Sequence, residues 1–194
     1  MKEKEIILPG YVRVTDPLEA IAGFENVPDE IMTKAGIRGT RTHHAIDGAI
    51  IKGVSYNSDG LDRELTIDGY MKSFDMWYKK QKFIKRPERI YCDEKKLTGL
   101  LDGIYEEEDG LVLLDFKTSA KESITWPLQL SAYSYLAEKV WKMRFKRIEI
   151  IKLDRYGGSA RTFVYQENRE MYFKCLDVYN YKNKAVKETY LDYL

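Results

Sequence analysis

The residues with the strongest claim to chemistry lie in the stretch LTGLLDGIYEEEDGLVLLDFKTS, residues 97–119. Asp102 follows Leu100 and Leu101, and the apolar run Leu111–Leu114 leads straight into Asp115, Phe116 and Lys117. Charge placed beside aliphatic side chains is costly unless it is paired or holds a metal. In a strand, alternate side chains share a side, so Asp115 and Lys117 point one way and Phe116 the other. Asp102, one strand earlier, comes within reach of Asp115 if EEEDG closes a hairpin. Two carboxylates that close repel each other, and a cation that favours hard oxygen ligands, magnesium or manganese, resolves the conflict. The ammonium of Lys117 stays charged beside them and is placed to orient water or offset charge on a phosphoryl oxygen. These are the parts that phosphodiester hydrolysis needs. Taken alone, an Asp-x-Lys pair at a strand end is more often a partly exposed ion pair.

The elements around this stretch must position it. TDPLEAIAGF predicts a helix with Asp16 as N-cap, Pro17 at the first helical position and Gly23 at its end. GTRTHHAIDGAIIKG predicts a second helix, on which His43, Ile46, Asp47 and Ile50 share a face. A third, longer helix is expected over LDRELTIDGYMKSFDMWYKKQKFIK, with Leu65, Tyr70, Phe74, Trp77 and Ile84 as anchors and Pro87 as its stop. ERIYC, LTGLLDGIY and LVLLDFK then read as strands, with Gly110 free to take positive φ in the turn. WPLQLSAYSYLAEKVWKM returns to helical spacing, RIEIIKLD and RTFVYQ read as strands, and a last helix runs from about Asn168. This order predicts an α/β fold on a mixed sheet flanked by helices.

The 194 residues, 44% of them hydrophobic, are enough for one domain with a well-buried core. With 32 basic and 31 acidic side chains, no global field draws the chain to nucleic acid or membrane, so a polyanion must be met by a local patch. Cys92 and Cys175 cannot supply the four ligands of a zinc ribbon or iron–sulfur cluster, and a reduced cytoplasmic protein is the simpler reading. The apolar run near the N-terminus stops at Pro9, and no segment reaches membrane-spanning length.

The motifs GLLD, LLDFKTS and QLSAY, in this order and spacing, resemble the PD-(D/E)xK nuclease superfamily and within it the RecB-like exonuclease branch. Gly99 and Asp102 match its Gly-x-x-Asp motif, Asp115 and Lys117 its Asp/Glu-x-Lys motif, and Gln129 and Tyr133 its Gln-x-x-x-Tyr helix. Upstream, GTRTH matches the branch's Gly-Thr-x-x-His through Gly39, Thr40 and His43, and Glu88 matches an acidic residue ahead of the first core strand. The resemblance covers about residues 36–136. It implies a restriction-endonuclease-like core over about residues 86–166, a helical N-terminal part over about 15–85 and a C-terminal helix over about 168–191. It implies one or two magnesium or manganese ions held by His43, Asp102, Asp115 and the backbone carbonyl of Phe116. Lys117 becomes the catalytic lysine, with Gln129, Tyr133 and Glu88 beside it. His44 is the alternative to His43, because helical phase alone does not separate the two.

The activity so implied is a metal-dependent DNA exonuclease of recombination, repair or replication, of the stand-alone phage or mobile-element kind. It would work in the cytoplasm of a bacterial, archaeal or phage-infected cell on single- or double-stranded DNA ends, with a homo-oligomer or a recombination protein as further partner. A non-catalytic DNA-binding or assembly module on the same scaffold and a structure-specific endonuclease are the competing readings. DNA is expected to meet the basic clusters KKQKFIKRPER and KVWKMRFKR, through Lys82 and Arg86 in particular, with Trp126 as a surface for base stacking.

Overall fold

The long apolar run before Asp115 becomes the centre of a sheet buried on both faces. The computed structural model describes residues 7–23, 27–53, 65–85 and 87–191. In chain order, β1 (Val12–Arg13) and a 3₁₀ turn (Asp16–Ile21) precede α1 (Asp29–Lys52) and α2 (Asp68–Tyr78). There follow β2 (Lys82–Lys85), β3 (Glu88–Cys92), β4 (Leu97–Leu101), β5 (Gly103–Glu107) and β6 (Gly110–Lys117). After them come α3 (Thr125–Trp141), β7 (Arg147–Lys152), β8 (Arg161–Tyr165) and α4 (Arg169–Leu191).

The strands form two sheets, one of three strands in the order β1-β4-β3 and a larger one in the order β2-β5-β6-β7-β8. The larger sheet is mixed: β6 runs parallel to β7 and antiparallel to β5. On β6, Leu111 and Leu113 pack with Ile148, Ile150, Leu130 and Tyr172 on the side of α3 and α4. Val112, Leu114 and Phe116 pack on the other side with Ile46, Tyr70, Met71 and Phe74 of α1 and α2. The alternation of one strand thus divides the apolar interior in two, and period 2 assigns each side chain its layer. Phe116 completes the second layer with edge-on contacts to Phe74 and Trp77 at 5.4 Å between ring centres.

Several expectations from sequence are corrected. The third helix ends at Tyr78, and Lys82–Lys85, including Ile84, is an edge strand whose Phe83 lies opposite Tyr105 of β5. Residues 61–64 of that expected helix lie outside the described residues. The second helix begins ten residues earlier than GTRTH, at Asp29 after Pro28, and carries Gly36 and Gly39 in its interior. The first helix is only a 3₁₀ turn, with Thr15 at its N-cap and Asp16 inside it, where the Asp16 carboxylate accepts from Arg13 N–H. LTGLLDGIY, expected as one strand, is split at Asp102 between the smaller sheet and the larger mixed one.

Candidate active site

Asp102 occupies the one residue between β4 and β5, where the chain passes from the smaller sheet to the larger. Leaving the ladder of β4, it keeps the register of the next one. Gly103 lies opposite Leu114, so Asp102 comes beside Asp115. Its Oδ2 accepts from Phe116 N–H at 2.7 Å, which pins the carboxylate against β6. The turn that makes this register is EEEDG, with Glu107 opposite Gly110 and Gly110 at φ 142°, where a side chain would be strained. Both carboxylates are buried, Asp102 at 5% exposure and Asp115 at 2%.

Four side chains close around the pair. Lys117, two residues along β6 and on the same side as Asp115, places Nζ 2.6 Å from Asp115 Oδ2. That oxygen makes no hydrogen bond of good angular geometry, so the ammonium meets it as a charge rather than as a directed donor. Gln129 on α3 accepts from Lys117 Nζ at 2.9 Å, and its Nε2 donates to Asp115 Oδ1 at 3.2 Å and to Tyr133 Oη at 2.9 Å. One helical turn separates Gln129 from Tyr133, which is why the two meet. Gly99 explains the rest of the Gly-x-x-Asp spacing: a Cβ there would stand 2.6 Å from Tyr133 Cε1. The glycine of β4 thus admits the ring that supports Gln129 on α3. On the other flank, α1 brings His43 Nδ1 to 3.1 Å from Asp102 Oδ1. His44, its neighbour, is exposed, so the fold separates the two histidines that helical phase leaves equivalent.

Electrostatics follow from burial. Desolvation is the main force raising the Asp115 pKa, and the Asp102 charge adds to it while Lys117 and His43 oppose. At His43, burial pulls the pKa down. The charge and hydrogen bond of Asp102, with Asp115 behind it and Lys117 opposing, outweigh that and raise it to about 9. Burial and the charges of Asp115 and Asp102 push the Tyr133 phenol well up, so it remains a neutral hydrogen-bonding group. Among the described residues no three His, Cys, Asp or Glu side chains already form a metal-binding group. The carboxylates are turned instead toward Lys117, Gln129, His43 and Phe116 N–H.

The structure does not bring every sequence-predicted residue to this point. Glu88 starts β3 opposite Leu101, but its carboxylate is half exposed and its ion pair is with Lys85 Nζ at 3.3 Å. Trp126 is 3% exposed and packs on Phe163 at 5.8 Å, so it is a core ring and not a stacking platform for bases. Lys82 is paired with Glu106, and Arg86 lies outside the described residues. A cleft of about 640 Å³ lined by Lys82 and Glu106–Asp109 sits at the opposite end of the β5–β6 hairpin and takes no part in the carboxylate pair. Among the described residues, no helix is long and apolar enough to cross a membrane.

No protein-family model and no curated protein sequence matches the chain. Among solved structures, it is similar to a candidate exonuclease from Eubacterium rectale, at 9% identity over 91% of this chain and 80% of that one, with a TM-score of 0.55. An alkaline exonuclease from Laribacter hongkongensis matches over 95% of both chains at 7% identity and a TM-score of 0.44. A phage-related exonuclease from Haemophilus somnus matches over 92% of this chain and 96% of that one, at 14% identity and a TM-score of 0.38. At these identities the likeness speaks for the fold, and only the first has a TM-score high enough to do so. The chain therefore has the restriction-endonuclease-like α/β fold, a mixed sheet flanked by helices, that its resemblance to the RecB-like branch of the PD-(D/E)xK superfamily implied.

Proposed function

We propose that the chain is a divalent-metal-dependent nuclease that hydrolyses DNA from its ends, in recombination, repair or replication. The observation that carries this reading is the buried pair Asp102 and Asp115, opposed across the β5–β6 register, with Lys117 2.6 Å from one of them. Support comes also from the name of the Eubacterium rectale protein that shares the fold, an exonuclease.

The donor set fits a hard cation. Asp115 Oδ2 is buried without a directed hydrogen bond, and two mutually repelling carboxylates stand at one point. Asp102, Asp115, the Phe116 carbonyl and His43 are the groups that would hold magnesium or manganese. When bound, such an ion supplies Lewis-acid polarisation of the phosphate and a more acidic water. The protein's own residues do the rest. Gln129 fixes the direction of the Lys117 ammonium, and Tyr133 fixes Gln129. Held there, Lys117 stands beside the place where negative charge grows on phosphate oxygens and where water must be aimed. Phe116 N–H and His43 hold the Asp102 carboxylate in one orientation, which lowers the reorganisation needed as the reaction proceeds. Glu88, Lys82 and Trp126 have no part in this reading.

The test uses end-labelled single- and double-stranded DNA and a closed circle, incubated in magnesium or manganese with wild-type or Lys117→Ala protein. Wild-type protein is expected to release nucleotides from linear DNA and spare the circle, and Lys117→Ala to be slower by about 10²–10³. Binding without nucleotide release in either metal would refute the enzyme, and cutting of the circle would refute the preference for ends.

A further inference from the structure

Several members of the basic clusters conspicuous in sequence are engaged in internal ion pairs. Lys82 is paired with Glu106, Lys85 with Glu88, Lys139 with Glu94, Lys146 with Glu107 and Asp109, and Arg147 with Glu107 and Glu149. The larger sheet assembles a different basic row at the end where Asp115 lies. Lys117 of β6 is in register with Lys152 of β7, and Lys152 with Arg161 of β8. All three lie on the α3 side of the sheet. Lys117 meets Gln129 there, and residues two positions from the others, Ile150 and Phe163, pack in the layer beneath α3.

Among the described residues, neither Lys152 nor Arg161 has a salt bridge. The carboxylate that feels both charges, Asp154, is turned into its own loop, where it accepts from Tyr156 N–H at 2.8 Å and Gly158 N–H at 3.0 Å. Ser73 Oγ of α2 accepts from Asp154 N–H at 3.0 Å, so the loop that sets the distance from β7 to β8 is tied to the body of the protein. Arg161 is exposed and Lys152 half-buried, which leaves both available to a ligand.

We infer that Lys152 and Arg161 form a phosphate track, along which the nucleic-acid strand runs from Lys117 across β7 and β8. The inference rests on the nuclease reading above and adds the direction of the strand to it. Neighbouring strands stand about 4.8 Å apart, so the row from Lys117 to Arg161 covers about 10 Å. A row of that length reaches beyond a single phosphate to its neighbour on the strand. A row of cations leading away from the site is better matched to a backbone than to a single small anion.

The test measures binding of a fluorescent single-stranded oligonucleotide from 50 to 200 mM salt by wild-type protein and by Lys152→Gln, Arg161→Gln and the double variant. Cleavage of the oligonucleotide and of a mononucleotide nitrophenyl phosphodiester is followed alongside. Thermal melting verifies that the variants fold. Each lost phosphate contact reduces the salt slope by about 0.7, so the double variant should lose about 7-fold less affinity than wild type over that salt range. Its oligonucleotide KM should rise while turnover of the small phosphodiester stays unchanged. A folded double variant with the wild-type salt slope and wild-type oligonucleotide KM would overturn the track and leave the nuclease reading standing. Wild-type protein that neither binds nor cleaves would overturn both.

Discussion

Gln129 is the residue through which the carboxylate pair, the lysine and the supporting tyrosine hold one another, and replacing it by leucine tests that arrangement directly. The substitution keeps the approximate volume and removes three hydrogen bonds: Lys117 Nζ to Oε1, and Nε2 to Asp115 Oδ1 and Tyr133 Oη. Lys117 retains Asp115 Oδ2 at 2.6 Å, so the ion pair survives, but Asp115 Oδ1 and Tyr133 Oη lose this donor in a buried setting. A bond to a charged group contributes about 1.5–3 kcal/mol and a neutral one about 0.5–1.5 kcal/mol. The three share one network, so their sum overstates the loss, and the buried leucine offsets part of it. A net destabilisation of about 2–4 kcal/mol remains, which for a chain of this size lowers Tm by about 5–15 °C. Freed from Gln129, Lys117 no longer has a fixed direction, and kcat for DNA cleavage should fall about 10–100-fold. Thermal melting and initial-rate kinetics on the same preparation read both effects. A Gln129→Leu protein that melts within a degree of wild type and cleaves at its rate would refute the argument.

Other perturbations separate the parts of the site. Gly99→Ala sets a Cβ at 2.6 Å from the Tyr133 ring, and overpacking of about 1–3 kcal/mol with slower cleavage is expected in melts and rate assays. His43→Ala should cost about 1–3 kcal/mol and lower cleavage at least about 10-fold, because Asp102 Oδ1 loses its partner, whereas exposed His44→Ala should stay within about 0.5 kcal/mol. Far from the site, hydrogen bonds from Arg147 and then Lys146 hold the Glu107 carboxyl down to about 2. Its folded value lies below the unfolded value of about 4.3, so its contribution is full above that pH and lost as pH falls toward 2. Urea midpoints of wild-type and Glu107→Gln proteins should therefore converge between about pH 4.3 and pH 2.

Sequence made the centre of the site legible because its logic is local. Asp115, Phe116 and Lys117 take their sides from a period of two, and Asp102 meets Asp115 because EEEDG turns the chain back on itself. The motif resemblance favours His43 over His44, and α1 turns His43 toward Asp102 and leaves His44 exposed. What required the third dimension was less legible. Ile84 follows Trp77 by seven residues, two helical turns, so helical spacing continues as far as Pro87. The pairing of β2 with β5 makes that segment a strand instead. Trp126 looks the same in sequence whether it faces solvent or Phe163. Lysine clusters drew attention by number, yet their carboxylate partners come from distant elements. Lys152 and Arg161, separated by a loop, gave no such signal until register placed them side by side.

The passage of the chain from one sheet to the other at Asp102 also bears on the order in which the site can assemble. Asp102 and Phe116 are 14 residues apart, whereas Asp102 and His43 are 59 apart. Loop-closure entropy favours the short separation, so the acidic hairpin can form while still wet, and its like charges are then well screened. The docking of α1 then brings the imidazole to Asp102. The electrostatic cost of burying the carboxylates is thus expected to fall late, on the arrival of a remote helix, so that the candidate site and the completion of the fold are coupled.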